Sequence, residues 1–314
     1  FVKEFAKGNN SVGFSSGQGG FMLWRLKIGE ASAYDTFDHS HEAETLRSSI
    51  EAMARSAQGQ WDVIVTDVDS GKIIAENSSN MLRQSASVIK VPLAMCVMSI
   101  LEQKVQSQSE LADYLRNNLF KGTTFDQSLT QMLVNSDEQA TARMSEFLTS
   151  KRVDSQALLS SWGIKDTIPS YRISTEQDTW RLFMSLYNTD DGKILHYPFS
   201  HQYLLGLLSS YSSDDLTRLG TLHDYGVKVK RIYNKIGSVA SRDLSIVADA
   251  GIVEVSSPNW LFPSSKPYFI SINGQQRSGS NCTYKTLEAE FSDLIGIIAQ
   301  YLKGPDKIGL QRDL

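Results

Sequence analysis

Within the stretch 83–101, RQSASVIKVPLAMCVMSIL, two polar groups stand at the mouth of a continuous apolar run: Ser87 and, three residues on, Lys90. Residues three apart on a helix share one face, with Cβ atoms about 5–6 Å apart. A helix starting here would bring the lysine amine within reach of the serine hydroxyl, beside free backbone N–H groups and the positive end of the dipole. Walled in by Val88, Ile89, Val91, Leu93 and Met95, the amine would find its charged form disfavoured, as a lysine general base requires. The pair could therefore carry nucleophilic acyl transfer. The plainer reading is a serine helix cap followed by a lysine whose head reaches back to water.

Two further stretches bear on that choice. VNSDEQA places Ser136, Asp137 and Glu138 in a loop between two expected helices, about 50 residues after Ser87. A Ser-Asp pair there is ordinarily an N-cap. YNKIGSV places Lys235, Ile236 and Gly237 on an expected strand, where a glycine can admit the close approach of another backbone. Other chemistries have less to build on. The five histidines (His39, His41, His196, His201, His223) are scattered, with no GxSxG elbow and no HExxH spacing. Cys96 and Cys282, the only cysteines, lie in an apolar run and a polar one, without CxxC or metal spacing, and are expected as separate thiols.

The elements that would position these groups follow from periodicity. Residues 1 to about 40 hold the polar NNSVGFSSGQGG and then FMLWRLKIG, a possible strand or docked arm. From 41, HEAETLRSSIEAMARS has helical spacing, and WDVIVTDVDSGKIIAENS reads as a hairpin turning at Asp69-Ser70-Gly71. From about 85 to 222 the pattern is helical without a strand signal, and includes STEQDTWRLFMSLY, with Thr175 as its cap. The chain then returns to strands in VKVKRIYNKIGSV, DLSIVADAGIVEV and KPYFISING, and closes on the helix KTLEAEFSDLIGIIAQYLKG, ending at Gly304. Helix and strands at both ends around a helical block imply an α/β domain with an all-helical domain inserted. The expected division is an extension at 1–40, an α/β domain at 41–85 and 223–304, a helical domain at 86–222 and a tail at 305–314. The boundary between two such lobes is a usual place for a site.

Composition narrows the partners. The 314 residues are 41% apolar and 10% aromatic, which suits a folded protein with a substantial core. A net charge of −4 gives no broad attraction for nucleic acid or an anionic membrane, and neither is expected as a partner. The longest apolar run holds Lys90 and Pro92 and falls short of the roughly 20 residues of a membrane helix. The first residue is Phe1, not methionine, so a removed signal segment and a secreted, periplasmic or cell-envelope location are expected.

Taken in order, S-x-x-K at Ser87, Ser136-Asp137-Glu138 and Lys235-Ile236-Gly237 resemble the three signatures of the serine β-lactamase and penicillin-binding protein superfamily. The likeness runs over about 42–303 and is nearest to class A-like β-lactamases. It implies the β-lactamase/transpeptidase fold, an antiparallel sheet flanked by helices with an inserted helical domain. It also implies Ser87 as the acylated nucleophile, Lys90 as its base and Ser136 as the proton relay to the leaving nitrogen. By the same resemblance Lys235 and Arg242 bind the substrate carboxylate, and Ser238, after Gly237, supplies an oxyanion-hole N–H beside that of Ser87. No metal or organic cofactor is implied.

Three departures qualify it. Glu138 stands where the family has an asparagine, so that position has no N–H to donate, and an ionised carboxylate there favours protonated Lys90. Ile236 replaces a hydroxyl. The connection SWGIKDTIPSYRIST is too short for the family's Ω-shaped loop and lacks its deacylating glutamate; Asp166 is its only carboxylate, and Glu176, in the first turn of the next helix, is an ordinary acid for the dipole. The expected function is a serine hydrolase acting on a β-lactam or a D-alanyl-type peptide, with poor deacylation. The rivals are a catalytically retired binding or regulatory module, and an amidohydrolase whose substrate presents an ammonium group to Glu138.

Overall fold

The computed structural model describes residues 37, 38, 40–188, 194–209, 218–241, 243–256, 265–277 and 282–303. The extension, Arg242, Gly304 and the tail lie outside them. The chain enters on α1 (His41–Ser56), whose N-cap Ser40 accepts from the Ala43 N–H, and passes to the hairpin β1 (Gly59–Asp67) and β2 (Ile73–Asn77). Gly71 takes a positive φ of 68° in the connecting turn, which a residue without Cβ adopts freely.

After the two-residue strand β3 (Arg83–Gln84) comes a 3₁₀ turn, Ala86–Ile89, and then α2 (Lys90–Glu102), with all of its residues buried. Ser87 therefore sits in the tight turn that leads into the helix, not in the helix itself. The helical block continues through α3 (Gln108–Asn117), α4 (Phe125–Leu133), α5 (Glu138–Ser150), α6 (Ser155–Ser161), α7 (Glu176–Tyr187) and α8 (Pro198–Leu208). Thr175 caps α7 as its sequence predicts, accepting from the Asp178 N–H at 3.1 Å. Two short pairings interrupt the block: β4 (Leu119–Phe120) with β5 (Thr123–Thr124), and β3 with β6 (Ile173–Ser174). Two-residue strands have no periodicity to read, which is why the sequence gives no sign of them.

The chain returns in β7 (Val229–Ala240), β8 (Ser245–Ser256) and β9 (Ser265–Gln276), and ends its described part in α9 (Tyr284–Lys303). Among the described residues, the five long strands make one antiparallel sheet in the order β2-β1-β9-β8-β7, with β7 at an edge of that order. Alternation along β8 divides the core, since successive strand residues face opposite ways. Ile246, Ala248, Ala250 and Ile252 pack with the helical block, while Val247 and Val253 pack with Leu46 and Ile50 of α1 and Phe291 and Ile298 of α9. This is the fold class the resemblance implies. Cys96 and Cys282 are both buried, and Cys96 is a free thiol. No helix among the described residues is long and apolar enough to cross a membrane.

Candidate active site

The site forms where the 3₁₀ turn, the start of α5 and the edge strand β7 meet. Lys90 is wholly buried, and its Nζ donates to the Ser136 carbonyl (2.6 Å), to Ser136 Oγ (3.1 Å) and to Glu138 Oε1 (2.7 Å). Lys235, also wholly buried, reaches the same Ser136 Oγ from β7 at 3.1 Å. Two amines thus converge on one hydroxyl. Asp137 is the N-cap of α5, accepting from the Ala140 N–H at 2.6 Å, and this fixes Ser136 and Glu138 on either side of it.

Gly237 explains how β7 comes so close. A Cβ there would lie 3.0 Å from the Ser85 carbonyl oxygen, 3.1 Å from Ala86 Cβ and 3.2 Å from the Ser87 nitrogen. The strand lies against the turn that carries Ser87 because residue 237 has no side chain. Half-buried Ser87 and exposed Ser238 flank that contact. Among the described residues, three of the six non-glycine residues with positive φ lie here: Ala86 (46°), Ser136 (55°) and Arg172 (54°). That backbone is costly for a residue with a side chain and persists where surrounding contacts over-determine it.

Arg172 has no signature in the sequence, yet it borders the site. Strand β6 pairs with β3, so the turn before it is held against the turn leading to Ser87; the Ser85 N–H donates to the Arg172 carbonyl at 2.9 Å. Its guanidinium donates to both Glu138 oxygens, to Oε1 at 3.3 Å and more closely to Oε2. Glu138 thereby bridges two cations. Its carboxyl is brought down to about 2, chiefly by the Arg172 hydrogen bond and also by Lys90, so it is ionised at neutral pH.

Burial lowers the Lys90 amine below the ordinary lysine range, against the upward pull of Glu138; the Arg172 charge assists burial. Lys235 is brought down to about 8, first by burial and then by the charge on Lys90. The cluster holds one deeply buried amine that gives up its proton more readily than an ordinary lysine and a second brought down to about 8. Such an arrangement can take a proton from a hydroxyl and return one to a leaving group.

Behind the site, β7 is held by groups that sequence reasoning passed over. Asn234 donates to both Asp249 oxygens (2.8 and 2.9 Å), Asp249 also accepts from the Leu219 N–H (2.9 Å), and Arg218 donates to the Gly237 carbonyl (3.3 Å). Arg242, expected to support a substrate carboxylate, lies outside the described residues. Ile236 pairs with Asp249 on β8 and brings no hydroxyl to the site.

Glu176 departs from its reading as an ordinary first-turn acid. It is buried and accepts from Ser271 Oγ of β9, and burial, with Asp62 nearby, raises its carboxyl to about 7. A raised acid stabilises the fold while protonated, and that contribution is lost as pH rises from its ordinary value of 4.5 to about 7. Glu176→Gln should keep a neutral hydrogen-bonding group and flatten this slope. Relative to wild type, the variant should gain up to about 3 kcal/mol between those pH values, measured by urea unfolding across the range. Parallel stability curves would show that Glu176 does not carry a raised proton.

The model of the Beta-lactamase enzyme family matches residues 45–262. No curated protein matches the sequence. Among solved structures, the TLA-1 extended-spectrum β-lactamase is similar at a TM-score of 0.64 and 18% identity, over 84% of this chain and 100% of that one. A class A β-lactamase representative from Bacteroides cellulosilyticus DSM 14838 gives 0.62 and 15%, over 84% and 99%. PBP-A gives 0.61 and 15%, over 84% and 97%.

Proposed function

The chain belongs to the β-lactamase enzyme family, and from that premise we propose that it is a serine hydrolase of the cell envelope, acting on a β-lactam or a D-alanyl-type peptide amide through an acyl-serine at Ser87. The observation that carries this reading is the convergence of the Lys90 and Lys235 amines on Ser136 Oγ, beside the turn that bears Ser87.

In the step proposed, neutral Lys90 takes the proton from Ser87 Oγ as that oxygen bonds to the substrate carbonyl carbon. The negative charge then on the carbonyl oxygen is met by the backbone N–H groups of Ser87 and Ser238, where preorganised donors give their largest benefit. As the carbon–nitrogen bond breaks, Ser136 passes its proton to the leaving nitrogen and is reprotonated from Lys90. Lys235 faces the substrate carboxylate, and Arg242 is its proposed second partner.

Incubation with a fluorescent penicillin followed by peptide mapping tests the reading. Label is expected on the peptide holding Ser87 and is expected to vanish in Ser87→Ala. Absence of label across several β-lactams would favour the rival in which the fold serves as a binding or regulatory module.

A further inference from the structure

The sheet face toward the helical block carries two acids that the chemistry at Ser87 does not use. Between β1 and β9, Asp62 pairs with Asn273 and Ile64 with Ser271, and strand residues two apart share a face. Ile64 packs with the helical block, so Asp62, Asn273 and Ser271 point the same way. Glu176, opening α7, comes down on them and accepts from Ser271 and Asn273. Two carboxyls that are 1% (Asp62) and 5% (Glu176) exposed thus lie in one polar pocket. The cation that meets them is Arg83 of β3, whose Nε donates to Asp62 Oδ2 at 2.8 Å. The buried Asp62 Oδ1 has no donor among the described residues. The other ionic groups nearby are engaged apart from the pair: Glu76 of β2 accepts from Ser79 and Gln177, and Asp178 of α7 pairs with Arg181.

One guanidinium cannot balance two buried carboxylates, and like charges in one pocket favour keeping a proton on one of them. Burial raises Asp62 to about 6 against the pull of Arg83, and burial with the Asp62 charge raises Glu176 to about 7. The proton therefore rests on Glu176, while Asp62 stays ionised against Arg83. This pocket lies under the segment that bears the nucleophile. Arg83 and Gln84 form β3, and Ser87 follows three residues on. Asn273 and Gln275 donate to the Gln84 carbonyl at 3.2 and 2.8 Å. Arg83 also pairs with Ser174 of β6, two residues before Glu176. Both sides of that short pairing are thus tied to the acids, one through Asp62 and one through the chain. The left-handed backbone of Ala86, between β3 and Ser87, persists only while such contacts hold it.

We infer that Glu176 is a positioning residue for Ser87: as a neutral acid beside Asp62 it keeps β3 fastened to the sheet through the Asp62–Arg83 pair, and its ionisation loosens the turn that carries the nucleophile. The consequence for acylation rests on the acyl-serine reading; the fastening itself does not. Ionised, Glu176 sets a second buried negative charge beside Asp62, and the pocket is relieved by letting water in where α7 and β3 meet the sheet. Sign follows from the raised acid: the fastened state is favoured at low pH and loses ground as pH rises from the ordinary 4.5 to about 7. Lys90 acts in the opposite sense, since it becomes a base as pH rises. Comparison of two proteins that share Lys90 isolates Glu176.

The test measures acylation by a saturating fluorescent penicillin from pH 5.5 to 8.5 in the full chain and in Glu176→Gln, whose amide mimics the neutral acid. Saturation removes the share of Lys235 in binding. The ratio of variant to wild-type rate constants should rise about five- to tenfold across this range, because coupling to one proton changes an equilibrium by up to about tenfold per pH unit. A residue that only adds stability to a protein folded throughout would leave the ratio constant. A second readout needs no penicillin: hydrogen-exchange protection of the Ser85 N–H, which donates to the Arg172 carbonyl at 2.9 Å. That protection should fall about tenfold or more between pH 5 and pH 7.5 in wild type and stay level in the variant. In Asp62→Asn, which takes the carboxylate from Arg83, it should be low at every pH. A constant rate ratio, or Ser85 protection in wild type that is level with pH, would overturn the inference, and the latter holds even if neither variant folds. Labelled protein with a constant ratio defeats only the role of Glu176. Protein that never labels, yet shows the fall in Ser85 protection, defeats only the acyl-serine.

Discussion

A penicillin adduct at Ser87 is expected to remain on the protein for many minutes while little free product accumulates. Hydrolysis of an acyl-serine needs a water activated by a positioned general base, an effect of roughly 10²–10⁴-fold. The structure accounts for every carboxylate that the short connection could bring. Asp166 is exposed, and its backbone N–H, donating to Asp178 at 2.6 Å, ties that part of the connection to α7. Asp178 is buried and paired with Arg181. Glu176 is buried and its carboxyl is engaged by Ser271 of β9. Glu138 is ionised but bridges Lys90 and Arg172, and a carboxylate with its proton affinity lowered to about 2 is a poor acceptor for a proton from water. Intact-mass measurement after mixing with excess penicillin should show the mass of one ligand retained over that time. Rapid multiple turnover without an observable adduct would contradict this account and require a base outside these four.

What was legible in the sequence was what local pattern encodes. The apolar run after Ser87, the cap at Asp137 and the glycine after Lys235-Ile236 each leave a mark within a few residues, and the structure brings Lys90, Ser136, Glu138 and Lys235 together as their order suggested. Arg172 leaves no such mark. It is a lone arginine in a polar turn, and its place depends on a left-handed backbone at φ 54° and on pairing between strands about ninety residues apart. Glu176 misleads for the opposite reason: acids in a first helical turn are so often solvated that its neighbour across the sheet, Ser271, could not be guessed. The braces on β7 from Arg218 and Asp249 likewise join residues whose proximity only the sheet creates.

The charge balance at Lys90 predicts two substitutions with opposite effects on acylation. Burial lowers the Lys90 amine, Glu138 raises it and Arg172 lowers it. In Arg172→Gln, Glu138 would keep its ion pair with Lys90 without the competing guanidinium and would hold Lys90 protonated; the base limb of the acylation profile should move to higher pH, and the rate at pH 7 should fall. In Glu138→Gln the upward pull disappears while the Arg172 charge remains, so the limb should move to lower pH and the rate should rise. One charge removed at hydrogen-bond distance from a partly exposed pair changes the interaction by about 1–1.5 kcal/mol, the screened end of the range, so each change should be about five- to tenfold at fixed pH. The double variant separates this electrostatic account from mere loss of packing: with both charges gone its profile should return toward that of wild type, whereas damage to the turn would accumulate. The same order should appear without any chemistry, in the ¹³Cε chemical-shift titration of Lys90 in lysine-labelled protein. Identical titrations in the two single variants would refute the argument that Arg172, by sharing Glu138, leaves Lys90 free to act as a base.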